Sequence, residues 1–544
     1  MIKFLFSILL TIPTYFLSAQ NSEKPKLVVG IVVDQMRYEY LYRFENHYGD
    51  DGFKRVLSDG FSFKNAHYNY IPTYTGPGHA SVYTGTTPRV HGIIGNDWYD
   101  KYDKKSMYCV EDNDVEAVGG KGKVGRRSPK NLKSTSITDE LRLFYQNRSK
   151  VIGIALKDRG AILPAGHQPS GAYWFDDISG NFITSTFYKK SLPKWLVKFN
   201  KQNLAKKYMS MGWETYKPIE TYIESARDDR PYEGKELGGI PPVFPYDFNS
   251  LDSSINLNEM LKVTPHGNTI TTDMALATIV GEQLGVDEVT DFLAISYSSP
   301  DYVGHAFGPY SKEIQDTYIR LDLELARLMQ TLDEKVGEGN WTLFLTADHA
   351  VADIPAYLME LGHSTDYLKS GEQKDFILQK LEDRFGTSDL IENVSNQQIF
   401  LNKKLIEEKN LDFREVKSFI ISEMNQMIGM SAVFDAAYVS NYGGHDLDVK
   451  MIAAGLNAHM SGDIIYTHQA GWLGEWHLKN GGTTHGSGYS YDTHVPMIFY
   501  GWGIKKGSTV NYHPITDIAP TISTLLNIKM PSGCTGQPAP ELLD

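Results

Sequence analysis

The sequence predicts an α/β fold with a mostly parallel central sheet flanked by helices and carrying inserted subdomains, on three observations. Continuous apolar runs, led by Leu27 to Val33, have the pattern of strands buried on both faces. Helical stretches separate these runs, so strands and helices alternate along the chain. Carboxylates, imidazoles and cations stand where the runs end, the place that ligands take in open parallel sheets. At 544 residues the chain exceeds one ordinary core, which means about three domains or one large α/β domain with insertions.

The first residues, Met1-Ile2-Lys3, the apolar run Phe4 to Leu17 and then Ser18-Ala19, have the form of a signal peptide cut after Ala19. Thr11, Pro13 and Thr14 interrupt the run, which is short for a membrane span, and no later stretch has the necessary length. The expected protein is therefore a periplasmic or secreted chain, residues 20–544, with no stable membrane insertion. In such a compartment Cys109 and Cys534 either pair or remain two free thiols. The net charge of -13 and the lack of a long Lys/Arg block argue against nucleic acid as the main partner. The 33 tyrosines suit either a binding cleft or a β-rich core.

The run Leu27 to Val33 ends in Asp34, at the strand end where ligands gather, although taken alone it reads better as a helix cap for the following segment. Tyr74-Thr75-Gly76-Pro77-Gly78-His79 then reads as a helix start. There the Thr75 oxygen can cap, Pro77 lacks an N–H the first turn leaves unpaired anyway, and anions are welcome. A Gly-, Pro- and Thr-rich loop leads to Asn96. A helix over Ser136 to Gln146 precedes a second buried strand, Lys150 to Leu156, which delivers Lys157, Asp158 and Arg159 at its end. Those two cations are either a solvated strand end or an anion clamp.

Ala172 to Phe175 and Phe182 to Thr184 make a hairpin. Residues from about 194 to 267, with Pro241, Pro242 and Pro245, read as an inserted cap. A helix from Thr271 to Leu284 leads to the strand Phe292 to Tyr297 and a loop carrying Asp301 and His305. A long helix from Ser311 to about Glu338 precedes the strand Trp341 to Thr346, which ends at Asp348-His349. Residues from about 353 to 461 read as a second insertion. The chain closes with a Gly-rich turn around His485, the strand Val495 to Tyr500 and a helix over Ile515 to Leu526.

Asp34, Asp301, Asp348, His305, His349 and His485 form a mixed carboxylate and imidazole set, the donor type that zinc accepts. Six such ligands plus the Thr75 oxygen are too many for one tetrahedral ion and about right for two. Two zinc ions roughly 4 Å apart are the device that holds the attacking and leaving oxygens of an in-line displacement at phosphorus.

Thr75 in Thr-Gly-Pro-Gly-His, Asp34, Asp301-x3-His305, Asp348-His349 and His485-Gly together resemble, in matching order over nearly the whole chain, the motif series of the alkaline phosphatase superfamily. Asn96 and Lys157-x-Arg159 resemble its PafA-type, phosphate-irrepressible branch of flavobacteria. The resemblance implies two zinc ions, one on Asp301, His305 and His485, the other on Asp34, Asp348 and His349 with Thr75. It implies a small-molecule phosphate monoesterase, expected to be monomeric, with Thr75 as nucleophile and a phosphothreonine intermediate. Asn96, Lys157, Arg159 and the Gly76 N–H would then bind the nonbridging oxygens.

A phosphodiesterase or nucleotide pyrophosphatase of the same superfamily is the nearest rival, but would gain less from Lys157 and Arg159, since a diester has less free charge. A sulfatase of the superfamily would carry cysteine at position 75. A non-catalytic glycan-binding protein with structural zinc would have no use for Thr75 beside its ligands. The histidines at 79, 91, 445, 468, 477 and 494 are expected in structural or surface roles.

Overall fold

The computed structural model describes residues 24–234 and 237–543, and the expected signal peptide lies outside them. Ten strands form the central sheet: β1 (Leu27–Val33), β2 (Phe61–His67), β3 (Ala117–Val118), β4 (Val151–Ala155), β5 (Gly171–Asp176), β6 (Asn181–Ser185), β7 (Asp291–Tyr297), β8 (Trp341–Thr346), β9 (Met497–Gly501) and β10 (Gly507–Pro514). Their order is β10-β2-β9-β8-β1-β7-β4-β5-β6-β3. The middle five, β8-β1-β7-β4-β5, are parallel. Antiparallel pairings flank them, β9 with β8 and β2 on one side and β6 with β5 and β3 on the other.

This centre follows from the apolar runs. Every residue of β1, β4, β5, β7 and β8 is buried, because helices cover both faces of a parallel sheet. The sequence pattern misses β2 and β10. Both lie toward one edge, where polar and exposed residues are tolerated and no continuous apolar run develops.

In register, Val32 of β1 faces Ser296 of β7 and Thr346 of β8. Three central strands thus stop at one level, and the residues that follow them meet at one edge. The helices that serve this edge are α1 (Thr75–Thr84), α2 (Asp158–Ala165), α3 (His266–Gly281), α4 (Ser299–Phe307) and α5 (Lys312–Leu332). Helix α4 corrects an expectation, for residues 301–305 read as a loop. Pro300 sits in its first turn and Gly308 closes it at φ 83°.

Leu196, Phe199, Met209, Trp213 and Tyr246, from the stretch 194–267, belong to the same apolar core as the central sheet. By contrast, Ile391–Ser395, Gln398–Leu401, Met430–Asp435 and Ile464–His468 build a separate four-stranded antiparallel sheet. It has its own apolar cluster, including Leu381, Val416, Ile420 and Ile464. Cys109 and Cys534 are free thiols, which settles the open pairing question. Among the described residues no helix is long and apolar enough to cross a membrane.

Helix α2 lies so close on β4 that a Cβ at Gly153 would come within 2.0 Å of the Ala161 carbonyl oxygen. The contact is backbone, which no rotamer change relieves. Gly153→Ala is expected to cost about 1–3 kcal/mol, as overpacking does, read as a lower midpoint in denaturant unfolding; an unchanged midpoint would contradict this packing.

Candidate active site

Asp34 follows β1, and its N–H is bonded to the Tyr297 carbonyl at 3.0 Å. Asp348 and His349 follow β8. On α4, Asp301 and His305 stand four residues apart, so one helical face presents both. His485 arrives from the Gly-rich turn. Thr75 is the first residue of α1, not its cap, which corrects the capping expectation: Tyr74 holds the cap position. The Thr75 hydroxyl is thereby free to lie 3.4 Å from His349 Nε2.

Donor atoms converge in two overlapping groups, Asp301/His305/His485 and Asp34/Asp301/His349, each with its ligand atoms within 4.8 Å of one another. Asp301 is common to both. Asp348 stands beside the second group, with Oδ2 3.6 Å from His349 Nε2 and 3.4 Å from His79 Nδ1. Asp301 Oδ1 is 3.1 Å from His305 Nε2 and 3.6 Å from His485 Nε2, and the rings of His349 and His485 stack at 3.4 Å.

The three imidazoles share one arrangement. Nδ1 of His305 faces the Thr483 carbonyl at 2.7 Å, that of His349 the Ala350 carbonyl at 2.9 Å, and that of His485 the Thr73 carbonyl at 2.7 Å. A carbonyl only accepts, so each Nδ1 carries a proton and each ring turns its Nε2 into the site. Burial pushes His485 down to about 3 and His349 well below the usual histidine range, favouring their neutral forms, whereas at His305 the neighbouring Asp301 carboxylate outweighs burial and raises the imidazole.

The carboxylates feel burial in the opposite sense. It pushes Asp34 up to about 6 and Asp348 well above the carboxylate range. Burial would also raise Asp301, but His305 and Lys157 together hold it well below that range. Asp34 Oδ1 and Asp348 Oδ2 are buried without a hydrogen-bond partner. Three dry carboxylates, orphaned acceptors and three imidazole Nε2 atoms aimed inward fit divalent metal cations.

Lys157 Nζ lies 2.7 Å from Asp34 and 2.5 Å from Asp301, between the two donor groups, and does not pair with Asp158. Asp158 instead accepts from Arg127 and Tyr108, and the Tyr108 hydroxyl in turn accepts from Arg159 at 3.1 Å. Arg159 Nε is buried without a partner. Asn96 Oδ1 accepts the Gly76 N–H at 2.7 Å, so the backbone donor expected to meet substrate is already engaged. That bond uses the Asn96 carbonyl oxygen and leaves its amide N–H groups out of the contact.

Three residues escaped the sequence reading. Gln35, at φ 67°, donates its backbone N–H to Asp348 Oδ1 at 3.1 Å and its side-chain amide to Asp301 Oδ1 at 2.7 Å, tying one carboxylate to the other. Gly304 makes room for it, since a Cβ there would be 1.8 Å from Gln35 Oε1. Gly78 lets α1 pass the Asp348 carbonyl, 2.2 Å from where its Cβ would stand. The glycine within Asp301-x3-His305 was a readable sign of close approach; nothing marked Gln35. His79 is buried, with Nδ1 and Nε2 facing the Thr75 carbonyl and Ser296 Oγ at 2.9 Å each.

The family model for type I phosphodiesterase / nucleotide pyrophosphatase matches residues 28–488. The chain belongs to that family, within the alkaline phosphatase superfamily. More particularly, it is 43% identical over 521 residues to alkaline phosphatase PafA of Elizabethkingia meningoseptica, covering 96% of this chain and 95% of that one. The crystal structure of wild-type PafA superposes with a TM-score of 0.91 over 96% of this chain and 99% of that chain. A Myroides odoratus protein named calcium-transporting ATPase is 44% identical over 531 residues, covering 97% of this chain and 96% of that protein.

Gln35→Ala removes the side-chain amide that donates to Asp301 Oδ1. It is expected to weaken metal binding about 10- to 100-fold, as loss of an outer-shell partner does, measured by chelator competition. Unchanged affinity would assign Gln35 to packing alone.

Proposed function

We propose that the chain hydrolyses phosphate monoesters of small alcohols by double displacement, with Thr75 as nucleophile and two zinc ions held by Asp301, His305 and His485 and by Asp34, Asp348, His349 and Thr75. The observation that carries this reading is the Thr75 hydroxyl, freed from capping and placed at the edge of a donor set whose three imidazoles all turn Nε2 inward. Bound zinc would supply Lewis acidity toward the attacking and leaving oxygens.

The steps on the protein's own residues follow. Thr75 Oγ1 bonds to phosphorus as the ester P–O bond on the opposite side breaks, and the alcohol departs with that electron pair and a proton. Water then displaces Thr75 from the phosphothreonine, releasing inorganic phosphate with its original configuration. Asn96 and Arg159 bind the nonbridging oxygens, and each charge-assisted contact that tightens in the transition state lowers the barrier by about 2–4 kcal/mol, as oxyanion-hole donors do. Lys157 offsets the charge of Asp34 and Asp301, and metal cations on those carboxylates would leave its ammonium for the phosphoryl group. Cations suit a dianionic monoester better than a diester, which favours the monoesterase over the diesterase branch of the family. A leader at residues 1–19 accords with an exported enzyme.

Two experiments test this reading. The Thr75→Ala chain is expected to retain two zinc ions by metal analysis and a native circular dichroism spectrum, while losing turnover by more than about 10³-fold. Retained turnover assigns the nucleophile elsewhere, and fewer than two zinc ions in the wild type contradicts the metal assignment. Arg159→Ala is expected to lower kcat/KM for a monoester by about 10²- to 10³-fold and for the matching diester far less. A wild type that prefers the diester makes the chain a phosphodiesterase.

A further inference from the structure

A cavity of about 480 Å³ opens beside the reaction centre, bounded by His485 and by Tyr74, the residue before Thr75. This is the size of pocket that holds a small organic group. Its far wall comes from the separate four-stranded sheet and the chain around it, through Phe434, Thr467 and Trp472.

Two kinds of side chain define its chemistry. Tyr74, Phe434, Trp472, Tyr489 and Tyr491 line it with aromatic rings that are only partly buried, and the last two stack at 5.5 Å. Asp446, Asp448 and Asp492 also line it, and among the described residues no lysine or arginine does. Asp446 and Asp448 are exposed to solvent. Asp492 is 1% exposed; its Oδ2 holds Gly486 N, Ser487 N and Ser487 Oγ, whereas its Oδ1 is buried without a hydrogen-bond partner. The phosphate-binding residues Lys157 and Arg159 are cationic, so the site presents opposite charge to the two parts of a substrate.

We propose that this cavity is the leaving-group subsite, and that it selects phosphate monoesters of cationic amino alcohols over esters that carry a second anionic group. The proposal rests on the phosphomonoesterase reading. Aromatic faces attract an alkylammonium through their quadrupoles, and carboxylates at the rim add to that attraction. A carboxylate or second phosphate on the leaving group would meet the same rim with repulsion and no cation to offset it.

The test compares kcat/KM for phosphocholine, glycerol phosphate and phosphoglycolate, whose leaving groups are cationic, neutral and anionic. The wild type should rank them in that order, with phosphocholine about tenfold or more above phosphoglycolate. In the double variant Asp446→Asn, Asp448→Asn that ratio should fall several-fold. Asparagine at 446 can still accept the Val449 N–H that Asp446 Oδ1 now takes at 3.1 Å, so the following helix keeps its cap. Trp472→Ala should lower phosphocholine relative to glycerol phosphate. Each ratio is taken on one preparation and does not depend on how much of it is folded. Hydrolysis of none of the three esters overturns the phosphomonoesterase reading itself. Hydrolysis of all three at equal kcat/KM, or a ratio unchanged in the double variant, overturns the subsite alone.

Discussion

Three carboxylates buried at the end of a parallel sheet are the constraint around which this molecule is arranged. Asp34, Asp301 and Asp348 are each at most 3% exposed, and taking an anion out of water is costly unless charge or hydrogen bonds offset it. The surrounding residues act as that offset. Lys157 enters between Asp34 and Asp301, and Gln35 donates to both Asp301 and Asp348. What the protein leaves unbalanced is equally specific: two carboxylate oxygens without partners, beside imidazole Nε2 atoms. The arrangement favours positive charge, and divalent ions are its natural complement.

Backbone proximity makes that arrangement attainable. The ends of β1, β7 and β8 are level because the parallel register aligns them, and α1 then approaches the Asp348 backbone closely enough that only glycine fits at 78. Gly304 plays the same part on α4, where Gln35 occupies the space a side chain would fill. These glycines carry no chemistry, yet they fix the distances on which the chemistry depends.

The sequence made the central sheet legible because a strand buried on both faces cannot hide its composition: β1, β4, β7 and β8 are continuous apolar runs. It was silent on β2 and β10, whose half-exposed positions admit Lys64, Asn65 and Asn511. The donor residues could be read as a set because metal ligation needs particular side chains at strand ends. The way they group could not, since Asp301 joins both sets only through the turn of α4, which resembled a loop. Gln35 was illegible for a related reason. Its left-handed backbone, which aims one residue's N–H and amide at two different carboxylates, depends on tertiary packing.

Asn96 and Arg159 are held in place with the same economy by other means. Asn96 spends its carbonyl oxygen on the Gly76 N–H, which fixes the amide plane and so the direction of its remaining donors. Tyr108 donates to Asp158 and accepts from Arg159, while Arg127 holds the other oxygen of Asp158. The guanidinium is thus steadied by a chain of neighbours anchored outside the metal-ligand set. Groups already oriented before an anion arrives lose little freedom on binding it, and their dipoles need no reorganisation as charge shifts during displacement. Because the carboxylate and imidazole set and the Asn96 and Arg159 donors are braced by separate networks, metal retention and, under the proposed function, phosphate recognition are separable properties of one cleft.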